Sequence, residues 1–179
     1  MAELTQEKIG GWLSRVLSHE GGFTDDRNDS GNWTGGVIGE GDLRGTKFGI
    51  SAAAYPHLDI AGLTLSEAAR IYCLDYLAPI GAERFRDGVA FQLFDLAVNS
   101  GPRGAIKILQ RAVDVKPDGV AGPVTLAAMR ELSEGDLIMR IVAERIDFMC
   151  RLKSFQHYGR GWMRRIADNL RYGASDSGD

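Results

Sequence analysis

The sequence predicts a mainly α fold, a helical bundle with a small antiparallel β lobe near its N-terminus. Three observations carry this. Apolar residues recur at helical spacing through most of the chain from Thr64 onward, and also between Ile9 and Leu17. Their boundaries carry helix start and stop residues. Between them, residues 23–50 are rich in Gly, Asp and Asn. That stretch holds only short extended pieces, such as Gly36-Val37-Ile38 and Lys47-Phe48-Gly49-Ile50, the pattern of short strands joined by long turns.

The elements follow in order. Thr5 is an N-cap, and Ile9, Trp12, Leu13, Val16 and Leu17 form one apolar stripe. Gly10 and Gly11 weaken that helix by about 1 kcal/mol each relative to Ala. Gly21 and Gly22 stop it just after Glu20. Ser51 to Tyr55 begins a short helix that Pro56 limits. Thr64-Leu65-Ser66-Glu67 is a capping box, and its helix runs to about Leu77, ended by Pro79. Val89, Leu93, Leu96 and Ala97 give the next helix, closed near Asn99-Ser100-Gly101-Pro102. Gly104 to Val113 is another, and Gly122-Pro123 starts one that reaches about Leu132. Asp136 caps a longer helix to about Leu152, and a last helix spans about Gly161 to Leu170. One domain over 1–172 is expected, with the β lobe at 23–50, a first part at 1–100 and a helical part at 101–172. Residues 173–179 read as a flexible tail.

At 179 residues, with 44% hydrophobic and 25% charged residues, the chain has the composition of a globular protein. A net charge of −3 gives no global pull toward nucleic acid. Arg145, Arg151, Lys153, Arg160, Arg164, Arg165 and Arg171 face only Asp147 and Asp168, so the C-terminal region presents either a basic face or a solvated helix face. Cys73 and Cys150 sit among apolar residues and read as reduced core residues. No stretch is long and apolar enough to span a bilayer, and no signal peptide is expected. Neither a metal nor a cofactor is expected. Asp26 to Gly31 imitates the start of a calcium loop, but its twelfth position is Val37 where a glutamate is needed.

The candidate site is His19-Glu20-Gly21-Gly22-Phe23-Thr24-Asp25-Asp26-Arg27-Asn28-Asp29-Ser30-Gly31, continued by Gly45-Thr46-Lys47-Phe48-Gly49-Ile50-Ser51. Glu20 projects from a last helical turn beside apolar residues. Both the helix dipole and the apolar surroundings disfavour its charged form. A carboxylic acid kept protonated near neutral pH suits general acid catalysis.

These residues resemble the Glu-Gly-Gly-Tyr…Asp-x-Gly-Gly-x-Thr-x-x-Gly-Ile-Thr signature of glycoside hydrolase family 108. Phe94-Asp95-Leu96-Ala97-Val98-Asn99-Ser100-Gly101-Pro102, Ile108 to Ala112, Asp118 to Leu126 and Phe155 to Trp162 resemble the family's later blocks, in its order. The resemblance runs from about Ile9 to Leu170. It implies a lysozyme-like fold and a phage-endolysin type of N-acetylmuramidase, with bacterial peptidoglycan as partner, monomeric, without stable membrane insertion, and released to the wall through a holin. Asn32 through Arg44 departs from the family pattern as an insertion, bringing Trp33, Glu40 and Asp42 within reach of Glu20.

Breaking a glycosidic bond takes a proton for the leaving oxygen and help for the oxocarbenium ion, commonly from two carboxyl groups. The resemblance makes Glu20 the general acid and has Asp29 and Thr46 position the attacking water. Asp25, Asp26, Glu40 and Asp42 are rivals for the second carboxylate. Asp29 is alternatively a turn residue satisfying its own loop. Trp33, Phe48 and Tyr55 are candidates for stacking on sugars. Asn99 either meets an N-acetyl group or caps its turn. Three hypotheses follow: a muramidase, a lytic transglycosylase on the same fold, and a wall-binding or secretion-linked protein with little activity.

Overall fold

Thr5 starts the first helix, as its residue type predicts. Its Oγ1 accepts the Lys8 amide at 3.3 Å and its carbonyl accepts that of Ile9 at 3.0 Å. The computed structural model describes residues 5–17 and 22–176. Helix α1 is Gln6–Leu17 and buries Trp12, Leu13 and Val16, the core of the expected stripe. Gly10 and Gly11 face open space. The expected helix end at Glu20 lies outside the described residues.

The chain divides into two compact units, Thr5–Tyr72 and a second beginning at Cys73. In the first, β1 (Thr46–Lys47) and β2 (Ile50–Ser51) form an antiparallel hairpin, with Thr46 opposite Ser51 and Lys47 opposite Ile50. Thr24 bridges to Thr46 on the other side, and Trp33 bridges to Leu43. The Gly36-Val37-Ile38 segment is not extended. Gly36 N–H returns to Trp33 O at 2.9 Å and Glu40 N–H to Val37 O at 3.0 Å, so consecutive turns leave Val37 and Ile38 at an exposed tip. The helix expected from Ser51 is one turn only. Ser51 is already committed to β2, and a single bond from Tyr55 N–H to Ser51 O at 3.0 Å closes the turn. Helix α2 (Leu65–Tyr72) has the expected capping box: Glu67 Oε2 accepts Thr64 N–H at 2.8 Å, and Thr64 Oγ1 accepts Glu67 N–H at 3.2 Å.

The second unit opens on a π-helical turn, Cys73–Leu77, then α3 (Ala78–Ile80) and a 3₁₀ turn at Ala82–Arg84. Pro79 therefore does not end the helix. The wide π turn precedes a residue that has no N–H to offer, and Gly81, at φ 68°, ends the run instead. Helix α4 (Asp87–Ser100) is buried from Gly88 through Ala97 and is the axis of this unit. Around it pack α5 (Pro102–Ala112), α7 (Glu134–Cys150) and α8 (Phe155–Asp176), with α6 (Pro123–Arg130) between α5 and α7 in the chain. One cap differs from expectation and another was not foreseen. Ser133, not Asp136, caps α7: its Oγ accepts Asp136 N–H at 3.1 Å and donates to Asp136 Oδ2 at 2.8 Å. The first turn of α4 is served from α7, where Glu134 Oε1 accepts Gly88 N–H at 2.9 Å. Helix α8 starts earlier than Gly161 and runs through Gly173, which is buried beside Ile138, where a Cβ would lie 3.1 Å from Ile138 Cγ2.

Arg145 and Arg165 belong to no exposed face, basic or solvated. They are 1% and 9% exposed, and both converge on Asp95 of α4, itself 1% exposed. Asp95 Oδ2 meets Arg145 Nη1 at 2.6 Å, and Asp95 Oδ1 meets Arg165 Nη2 at 2.7 Å. Asn169 Nδ2 donates to Asp95 Oδ2 at 2.7 Å. Cys150 is exposed rather than core, and Cys73 is half-buried, with burial pushing its thiol up.

Burial works to raise the Asp95 carboxyl, but the charges of Arg145 and Arg165, with the hydrogen bond from Arg165 Nε, outweigh it and hold it below the usual carboxylate range. Its stabilising effect is therefore complete above the ordinary carboxylate pKa of about 4 and is lost as pH falls through the lower folded value. Asp95→Ala is expected to cost about 3–5 kcal/mol by stranding two buried cations, read as a lowered denaturation midpoint at unchanged slope.

Candidate active site

The site is built on a loop that satisfies itself. Asp26 Oδ1 accepts Asn28 N–H at 2.9 Å. Asp29 Oδ1 accepts Gly31 N–H at 2.9 Å and so caps a single 3₁₀ turn, Ser30–Asn32. Gly31 then runs beside β2. Its carbonyl accepts Ala53 N–H at 3.0 Å, and a Cβ on it would lie 3.2 Å from Asp29 Oδ1 and 3.7 Å from Ser51 Cβ. The Asp29–Gly31 turn thus lies along the Ser51 end of β2.

Ser51 faces Thr46 across the hairpin, and Thr46 faces Thr24. Directly opposed residues on antiparallel strands share one face. Thr24, Thr46 and Ser51 therefore make a row of three hydroxyls, with Asp29 at the Ser51 end. Asp29 Oδ2 and the Thr46 hydroxyl have no hydrogen-bond partner among the described residues. Asp29 does the turn residue's work with one oxygen, and its side chain is exposed.

Asn32 ties the loop to the hairpin. It is fully buried. Its carbonyl accepts both Arg44 N–H at 2.9 Å and Gly45 N–H at 3.0 Å, and its Nδ2 donates to Asp26 O at 3.0 Å. Gly45 lies between Asn32 and Thr46 at φ 84°, and a Cβ there would fall 2.5 Å from Thr24 O and 2.6 Å from the Phe23 ring. Only glycine fits.

The other expected residues have these positions. Trp33 is half-buried, and its indole Nε1 donates to Arg27 O at 3.0 Å. Phe48 and Gly49 are the two turn residues of the hairpin, at φ 53° and 71°. That is the type I′ geometry, which favours Asn, Asp or Gly at its first position. Phenylalanine there costs about 1–3 kcal/mol. The Lys47 ammonium, itself donating to Ala61 O at 2.7 Å, lies 5.4 Å from the Phe48 ring centroid. Tyr55 is half-buried, one turn beyond Ser51. Among the rival acids, Asp42 is paired with Arg44 at 2.8 Å, and Asp25 and Glu40 are exposed. Asn99 belongs to the second unit, where its Nδ2 donates to Asp95 O of its own helix at 2.6 Å. Glu20 and His19 lie outside the described residues.

Thr24, Asn32 and Ser51 are additions that the sequence reading did not single out. Ser51 was within reach: a two-residue hairpin at Phe48-Gly49 forces Thr46 and Ser51 into register. Thr24 and Asn32 depend on bridges across the loop that carry no local signal.

Residues 13–101 match the family described as Glycosyl hydrolase 108, and residues 104–167 follow with a match to the Predicted Peptidoglycan domain. The chain belongs to glycosyl hydrolase family 108. It is a glycoside hydrolase acting on peptidoglycan, on a mainly α, lysozyme-like fold. The family 108 chain is also similar to the structure of Brucella abortus SagA, with 28% identity, a TM-score of 0.79 and 98% of each chain covered. A comparison with curated proteins gave no match.

Gly45→Ala is expected to separate Thr46 from Thr24 and Asn32 and to reduce hydrolysis at least tenfold, the consequence of displacing a positioned group by about 1 Å. The helical unit should stay folded, which circular dichroism would check beside the activity assay.

Proposed function

We propose that the chain is an N-acetylmuramidase that hydrolyses the β-1,4 bond from N-acetylmuramic acid to N-acetylglucosamine. The observation that carries this reading is the row of hydroxyls ending at Asp29, whose second oxygen has no hydrogen-bond partner among the described residues. A lone glutamate suffices for transglycosylation, in which the sugar's own hydroxyl closes on the anomeric carbon. Hydrolysis needs a held water, and a carboxylate beside a hydroxyl is suited to hold one.

In this reading Glu20 donates its proton to the leaving oxygen. Asp29 Oδ2 accepts a proton from water as it attacks, and the Thr46 hydroxyl orients that water. Attack from the face opposite the leaving group inverts the anomeric centre. Inverting enzymes hold their two carboxyl groups roughly 6.5–9.5 Å apart, which leaves space for the water. Phe48, Trp33 and Tyr55 supply apolar faces for the sugar rings. The protein would reach the wall as a phage-type endolysin does, through a holin.

Mass spectrometry of digested peptidoglycan tests the reading. The wild type should yield reducing N-acetylmuramic acid ends. Glu20→Gln and Asp29→Asn should each lower the rate on the order of 10²–10⁴-fold, the range of a lost general acid or base. Anhydro ends would replace the muramidase with a transglycosylase. Full activity in Glu20→Gln would remove the proposed acid. Binding to peptidoglycan without products from any variant would make the chain a wall-binding protein.

A further inference from the structure

A bulky aromatic residue stands where the hairpin geometry asks for Asn, Asp or Gly, and the protein holds it there. Phe48 has φ 53° and Gly49 φ 71°. The turn lies one residue beyond Thr46. Three contacts fix it. The hairpin pairs Lys47 with Ile50 on either side of the turn. The Tyr72 hydroxyl, from a side chain that is 2% exposed, donates to the Phe48 carbonyl at 2.9 Å. The Lys47 ammonium covers one side of the Phe48 ring and is itself bonded to Ala61 O at 2.7 Å. The ring stays half-exposed.

We infer that Tyr72 is a positioning residue: its hydroxyl pins the strained Phe48 turn so that the Phe48 ring is presented, rigid, as a stacking platform for a pyranose ring of the glycan strand. Strain of this kind persists only where the surroundings over-determine it, and it collects at ligand-holding positions. A turn needed only to reverse the chain would be better served by asparagine or glycine. Phenylalanine adds one thing those residues lack, a flat apolar face, carried on the same hairpin as Thr46. Tyr72 touches no substrate in this arrangement. It acts through the Phe48 carbonyl, which is the first atom group to move if the turn relaxes.

The inference rests on the carbohydrate reading of the site, and its test separates the two. The full-length protein is titrated with purified soluble peptidoglycan glycan strands, and Kd is measured for the wild type, Tyr72→Phe, Phe48→Leu and the double variant. Turnover and thermal unfolding are followed in parallel. Phe48→Leu keeps an apolar side chain at the same φ and loses only the aromatic face. It should weaken binding about threefold to tenfold, the size of one aromatic contact. Tyr72→Phe should weaken it by a similar factor, with kcat little changed. The double variant should bind no worse than Phe48→Leu alone, because Tyr72 has then nothing to position. Phe48→Tyr should restore wild-type affinity. Equal weakening by Tyr72→Phe in both backgrounds would overturn the inference. So would a fall in melting temperature with Kd unmoved, which assigns Tyr72 to packing alone. A wild type that binds strands but yields no products would remove the hydrolytic reading while the four Kd values still decide the role of Tyr72. A wild type that binds no strands would remove both.

Discussion

One buried carboxylate holds the helical unit in register. Asp95 sits on α4, whose surface from Gly88 to Ala97 is covered throughout. Arg145 reaches it from α7, and Arg165 and Asn169 reach it from α8. Arg145 is the largest fully buried side chain, and none of its three nitrogens makes a well-aligned hydrogen bond among the described residues. Burial pulls its guanidinium down from its ordinary value and Asp95 opposes that, so the charge of Asp95 is what lets the arginine stay inside. Such a cluster is weak evidence for net stability, since packed apolar residues often do as well. Its strength is selectivity. Any rotation of α8 about its axis would leave one of two cations unpaired, at a cost apolar contacts cannot impose. The neighbouring contacts share that register: Gln92 Nε2 donates to Asn169 O at 2.8 Å, and Phe91 meets Tyr172 edge to face at 5.6 Å.

The unit from Thr5 to Tyr72 is organised on different terms. Beyond α1 and α2 it has two strands of two residues each. Side chains bonding to nearby backbone do the work that ladders do elsewhere: Asp26, Asp29, Asn32, Thr34 and Thr64 each fix a turn or a helix start. Local bonds of this sort specify geometry without requiring a large core. They also make the site depend on a small residue at position 45, because a Cβ on Gly45 would fall 2.5 Å from the Thr24 carbonyl oxygen. A hydrophobic substitution is the sensitive change in the helical unit, and a glycine substitution is the sensitive change here.

This difference explains what was legible beforehand. Helix existence was readable nearly throughout, since stripes such as Trp12, Leu13 and Val16, and the Thr64–Glu67 box, are local signals with local causes. Helix boundaries failed where a distant group decided them. Helix α8 runs past Leu170 to Asp176, where Gly173 lies against Ile138 of α7. The arginines at 145 and 165 read as surface because the sequence gives no sign that one aspartate 50 or more residues away neutralises both. In the site, the residue types and their order were readable from the family pattern. The hydroxyl row was not, because it arises from a bridge between Thr24 and Thr46 that periodicity does not encode.

The stretch from Asn32 to Arg44, which departs from the family pattern, does not interrupt the site. Asn32 O accepts the amides of both Arg44 and Gly45, so the chain leaves and returns at one point. Within the excursion Thr34 N–H bonds to Asp42 O at 2.9 Å and Gly35 N–H to Glu40 O at 3.1 Å, closing it rung by rung toward its exposed tip. Its length is thus free of the distance between Asp29 and Thr46. What the loop requires is the residue at the crossing, where the buried Asn32 side chain donates to Asp26 O while the Asn32 backbone carbonyl receives the amides of Arg44 and Gly45. An inserted segment can lengthen without moving the residues on either side of it only if its ends are clamped in this way. The clamp rests on one asparagine and the glycine at position 45.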